Sequence, residues 1–140
     1  MQTKKRILLL VSDSNGCYPV PASKGGAVAT LVESLIAKNE KELLVDFEVL
    51  TYWDEKAEKL SSQYPNTKFR WVRVPGIIRG IDKVLFFLVS TLTNKKANSW
   101  ISLTALLWYI WKASRLLKKE CYDSVVLEHN IPQIWALRLA

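Results

Sequence analysis

Cysteine and histidine are both scarce in this chain: Cys17 and Cys121 are the two thiols, and His129 is the only imidazole. The cysteines lie far apart, form no Cys-x-x-Cys pair and follow no secretory signal, so reduced thiols in a cytoplasmic protein are expected rather than a disulfide framework. A histidine without a cysteine or second histidine nearby argues against a structural metal site. Glycine is equally sparing. Gly16 and Gly25 are nine residues apart, so no Gly-x-Gly-x-x-Gly fingerprint exists, and no Gly-Lys-Ser/Thr follows to cradle a triphosphate. There is no Gly-x-Ser-x-Gly elbow and no pair of loop carboxylates at helical spacing. Long apolar runs are missing too: Trp100–Trp111 carries no charge over twelve residues, well short of the roughly 20 that span a bilayer. The basic opening ends in Ile7–Val11, too short for the apolar core of a signal peptide.

Acidic residues are absent from one region in particular. Residues 68–119 hold eleven Lys/Arg and one acid, Asp82, whereas residues 1–67 hold eight basic and nine acidic residues. The net charge of +7 thus comes entirely from a middle segment at +10, since the flanking segments are net negative. That segment also contains Phe86, Phe87, Trp100, Trp108 and Trp111. Basic and aromatic residues beside one apolar face suit an interfacial helix at an anionic surface. The plainer reading is a core helix with a solvated basic face. Nucleic acid would meet the same charges, but no recognition motif accompanies them.

With 140 residues, about half of them apolar, the chain fits one domain that buries roughly two-thirds of its unfolded surface. Four segments read as strands: Arg6–Ser12, Leu44–Trp53, Phe69–Val74 and Tyr122–Glu128. Helical spacing places Val28, Leu31, Val32, Leu35 and Ile36 on one face, and Leu103, Leu106, Leu107, Ile110 and Leu117 on another, opposite Ser102, Tyr109 and Lys112. Ile81–Leu92 is apolar nearly all round, Asp54 is placed to cap a short helix through Gln63, and Pro132 is placed to start a last one. Strands alternating with helices predict an α/β fold with a mostly parallel, Rossmann-like sheet. Four strands are few for a doubly wound domain, so the expectation is a single, incomplete domain over residues 1–140.

Two places carry candidate chemistry. Strand Arg6–Ser12 feeds a loop that ends at Gly25-Gly26, from which the first helix rises. Such a helix start has unpartnered backbone N–H groups and partial positive charge, which suits a phosphate. Close backbone packing would account for the same glycines. His129 follows the fourth strand, where ligands bind in open α/β sheets. A satisfied structural histidine is the plainer alternative.

Several pieces in order resemble the N-terminal half of family-4 retaining glycosyltransferases of the GT-B fold. They are strand Ile7–Ser12, a Pro-containing loop, Lys24-Gly25-Gly26-Ala27-Val28 with a helix to Lys38, the strand ending Phe47-Glu48-Val49-Leu50-Thr51, and Tyr122-Asp123-Ser124-Val125-Val126-Leu127-Glu128-His129-Asn130. The resemblance implies that Gly25 and Gly26 lie beside the pyrophosphate of a nucleotide-sugar donor. It implies that His129 is catalytic, lying near the transferred sugar to position it or to donate a hydrogen bond. The acceptor would be a glycan or lipid-linked molecule in cell-surface polysaccharide synthesis, with the chain cytoplasmic or peripheral on the inner face of the plasma membrane. No metal or other cofactor is expected, the nucleotide-sugar being a substrate, and no nucleic acid. The family's Glu-x7-Glu stretch belongs to a C-terminal donor domain that this sequence lacks, so these residues alone are expected to be inactive. The rival expectation is a non-enzymatic α/β module that docks a basic, aromatic surface on membrane or on an anionic polymer.

Overall fold

The computed structural model describes residues 4–12, 17–93, 102–128 and 134–139. Its centre is a sheet of four parallel strands: β1 (Arg6–Val11), β2 (Asp46–Tyr52), β3 (Lys68–Val72) and β4 (Ser124–Glu128), in the order β3-β2-β1-β4. Among the described residues, five helices connect or follow them: α1 (Ala27–Glu42), α2 (Glu55–Ser61), α3 (Gly76–Thr93), α4 (Leu103–Lys119) and α5 (Ile134–Leu139). This is the α/β, Rossmann-like architecture that the alternating pattern predicts. Pro132 and Asn130 lie outside the described residues.

The central strands read as apolar runs because both faces of the sheet are covered. Leu9, Val11, Phe47 and Val49 meet Ala29, Val32 and Ile36 of α1 on one face. On the other face, Leu8, Leu10, Leu50, Tyr52 and Val72 meet Leu106, Tyr109, Ile110 and Ala113 of α4, with Ala136 of α5. The pleat alone sorts them, since neighbouring side chains point to opposite faces. Arg6 and Leu10 of β1 align with Asp46 and Leu50 of β2, while Ile7 and Val11 align with Ser124 and Glu128 of β4.

Two helix faces are rotated from the sequence expectation. In α1, Leu31 is 66% exposed and Leu35 43%, whereas Ala29, Val32, Ile36 and Asn39 are buried. In α4, Tyr109 is fully buried and Leu107 is exposed. Tyr109 enters the core because its hydroxyl donates to Leu50 O at 2.7 Å, which satisfies the one polar atom that would otherwise oppose burial. The small residues Ala29, Ala105 and Ala113 carry no large apolar signal, yet they let the helices approach the sheet.

Below the sheet's N-terminal edge, Glu48 and Glu120 gather Arg6, Lys68 and Arg70 in one ion network. It closes the end of the sheet opposite the candidate site.

Candidate functional site

In the order β3-β2-β1-β4, the chain leaves β1 toward β2 on one side and returns past it to β4 on the other. The crevice at the carboxyl ends of β1 and β4 is therefore the switch point where open α/β sheets bind ligands. Val11 and Glu128 end these strands side by side. His129 follows directly and lies outside the described residues.

The approach to Gly25-Gly26 is held at four places. Val20 N donates to Thr51 Oγ1 at 2.9 Å, and Ala22 N donates to Glu33 Oε2 at 3.0 Å. Ser23 Oγ donates to Asp54 Oδ1 at 2.8 Å, and Lys24 Nζ reaches Asp54 Oδ2 at 2.9 Å. Asp54 meanwhile caps α2, accepting from Lys56 N and Ala57 N. The Lys24 ammonium, aided by Ser23 and Ala57, holds the Asp54 carboxyl down at about 2.

Both glycines have positive φ, +75° at Gly25 and +98° at Gly26. Any other residue would be strained there. A Cβ on Gly25 would meet no protein atom within 4 Å, so the space above it is open. Gly26 is the N-cap of α1, and no side chain caps that helix or places an acid in its first turn. The structure thus puts the glycine pair where the sequence places it, at an uncapped helix start, with Gly25 facing open space and Gly26 packed against the Tyr18 ring, whose Cγ would lie 3.5 Å from a Cβ there.

Beside this loop lies a cavity of about 280 Å³ that the sequence reading missed. Its lining includes Cys17, Lys24, Trp53, Arg79, Asp82, Lys83 and Ser102. Lys24 belongs to the glycine loop, Trp53 follows β2, and α3 supplies the other charged residues. Asp82 is 4% exposed and accepts Thr104 N at 2.7 Å and Ala105 N at 3.1 Å, so both its oxygens serve the start of α4. Among the described residues, neither Arg79 nor Lys83 forms an ion pair, and both are exposed. Trp53 is fixed by its Nε1 bond to Glu58 at 2.9 Å and by the Arg73 guanidinium, 4.5 Å from its ring centre.

Cys17 lines the cavity with φ +53°. Burial pushes its thiol up despite nearby Arg79, which keeps it a weak nucleophile at neutral pH. Behind it, the Tyr52 hydroxyl is buried beside the thiol without the geometry of a hydrogen bond. The signal in the sequence was Asp82, the single acid in a basic segment, flanked by Arg79 and Lys83 one turn apart.

Among the described residues, no group of His, Cys, Asp and Glu is arranged to hold a metal ion. No helix among them is long and apolar enough to cross a membrane. Comparison with protein-family models, with curated proteins and with solved structures gives no match.

Proposed function

We propose that these residues form the acceptor-side half of a GT-B glycosyltransferase, which transfers a sugar from a nucleotide-sugar donor to a glycan or lipid-linked acceptor. One observation carries the reading: the uncapped start of α1, with Gly25 and Gly26 at positive φ, opens at the switch point of the sheet, beside Lys24, which Asp54 holds in place. Backbone N–H groups and partial positive charge there favour a pyrophosphate. In this reading, His129 lies beside the transferred sugar and donates a hydrogen bond as charge develops. One wall cannot surround a transition state with fixed dipoles, so the second wall comes from a donor domain, and this chain alone does not turn over.

The test is a titration of the isotope-labelled chain with inorganic pyrophosphate and with a nucleoside diphosphate, followed by backbone NMR. Amide shifts at Gly25, Gly26, Ala27 and Val28, abolished by Gly26→Val in a chain that still melts cooperatively, are expected. Shifts confined to other regions would overturn the assignment, and so would robust sugar transfer by these 140 residues alone.

A second reading, a module docking on an anionic membrane, is favoured by the face of α3. Ile77, Val84, Phe87 and Leu92 are each more than half exposed there, and Trp111 of α4 lies beneath Lys112 and Arg115. The two readings are compatible if the acceptor is held at a membrane.

A further inference from the structure

One helix carries both halves of an unusual surface. At about 100° per residue, Arg79 and Lys83 lie on one edge of α3, next to the buried Asp82 and the half-buried Phe86. Val84, Phe87 and Leu88 follow on the exposed side. The cations therefore stand on the border between the cavity and an uncovered apolar strip.

Charge and volume narrow what the cavity can take. Asp82 forms no ion pair with Arg79 among the described residues; its two oxygens accept Thr104 N and Ala105 N instead. Lys24 is largely answered by Asp54. Among the described residues, Arg79 and Lys83 remain without an ion pair, which matches a doubly charged anion better than a carboxylate, and the arginine fork suits phosphate oxygens. About 280 Å³ admits a phosphate or diphosphate but not a whole sugar nucleotide. A free phosphate would leave the apolar strip unexplained, whereas an ester with a hydrocarbon tail would cover it.

We propose that this cavity is a subsite for an amphiphilic phosphate, its anion between Arg79 and Lys83 and its hydrocarbon along Val84 and Phe87 of α3. The bound molecule's role as acceptor rests on the transferase reading; its binding does not.

The purified 140-residue chain is titrated with farnesyl diphosphate, farnesol and inorganic pyrophosphate, all below micellar concentrations, using calorimetry and the fluorescence of cavity-lining Trp53. Farnesyl diphosphate should bind at least roughly tenfold tighter than either part, a factor set by about 1.4 kcal/mol. Arg79→Ala with Lys83→Ala should weaken it by at least as much. Phe87→Ser should erase the advantage over pyrophosphate while leaving pyrophosphate binding unchanged. All three side chains are exposed, and thermal melts verify that the variants fold. Farnesyl diphosphate binding no tighter than pyrophosphate would overturn the proposal. So would farnesol binding as well as the diphosphate, or a folded double variant that binds like the parent. Loss of the farnesyl effect with amide shifts intact at Gly25 would remove this subsite and leave the transferase reading standing; the opposite pattern would do the reverse.

Discussion

Lys24 Nζ lies 2.9 Å from Asp54 Oδ2, so the residue leading into the glycine pair is tied to the N-cap of α2. The same carboxylate accepts Ser23 Oγ at 2.8 Å. One side chain thereby fixes a helix start and aims the loop that faces the crevice. A loop held before a ligand arrives loses less entropy on binding.

Replacing Asp54 by Ala should cost about 1–2 kcal/mol from the lost cap. It should also loosen residues 22–26 and weaken pyrophosphate binding. Asp54→Asn keeps a capping oxygen but not the ion pair, so it should retain most stability and still lose affinity. Chemical denaturation and calorimetry on the two variants separate these effects. Equal affinity in all three proteins would show that the tether has no bearing on the site.

Stability should fall at both ends of the pH range, for different groups. Asp54 has its folded value lowered to about 2, against an ordinary value near about 4. Its contribution is present above the unfolded value and is lost as pH falls from about 4 through 2. Tyr64 is pushed up to about 12, by burial first and then by its bond to Glu33. Its contribution is present below about 10 and is lost as pH rises from there through 12. Burial also raises the Tyr52 and Tyr109 phenols, which steepens the alkaline limb. Melts across pH 2–12 should show Asp54→Asn flattening the acid limb and Tyr64→Phe flattening part of the alkaline one. An unchanged profile in both variants would contradict these assignments.

The parallel sheet was legible because its strands announce themselves. Leu8, Leu9 and Leu10 are apolar in succession, which only a strand covered on both faces requires. Asp54 as a cap and Gly25-Gly26 as a helix start were equally readable, since each is a local signal. The helix faces were legible only in part, with Val32, Ile36, Leu106 and Ile110 buried as their spacing requires. Leu31 and Leu107 obey the apolar spacing yet stand in solvent, while Ala29 and Tyr109 take the buried places. Hydrophobicity counts side chains, but close packing here selects small ones, and a tyrosine enters once Leu50 O answers its hydroxyl. The cavity was harder still. Cys17, Trp53, Arg79 and Ser102 come from four separated segments, and only the tertiary fold brings them together.

The uncovered apolar strip of α3 and the basic middle segment should bring the chain to anionic vesicles. Each basic residue near such a surface contributes on the order of 1 kcal/mol, and salt screens that contribution. Co-sedimentation with vesicles containing phosphatidylserine should therefore exceed that with neutral vesicles and drop sharply between 50 and 500 mM salt, both concentrations chosen to be roughly on either side of physiological screening. Phe87→Ser should weaken binding at every salt concentration, whereas Arg115→Ala should lower its salt dependence. Equal binding to neutral and anionic vesicles would mean that charge plays no part.

Asp82 should prove a costly charge to remove, because it is buried and serves two helices. Its buried carboxylate accepts Thr104 N and Ala105 N, and Thr104 Oγ1 donates to Ile78 O at 3.1 Å, so α3 and α4 are joined through one point. Hydrogen bonds to a charged group contribute about 1.5–3 kcal/mol, and removing the acceptor leaves two amides without their partner. Asp82→Ala should thus lose about 2–3 kcal/mol, the scale of one hydrogen bond to a charged group. Asp82→Asn offers one acceptor and one donor to two N–H groups, so it should recover only part of that loss. Amide exchange gives the local readout: Thr104 and Ala105 should exchange much faster in either variant, while Leu10 in β1 should slow or quicken only with global stability. If Asp82→Ala melted like the parent and Thr104 kept its protection, the carboxylate would not be the joint between the helices, and the placement of Arg79 and Lys83 at the cavity would need another support.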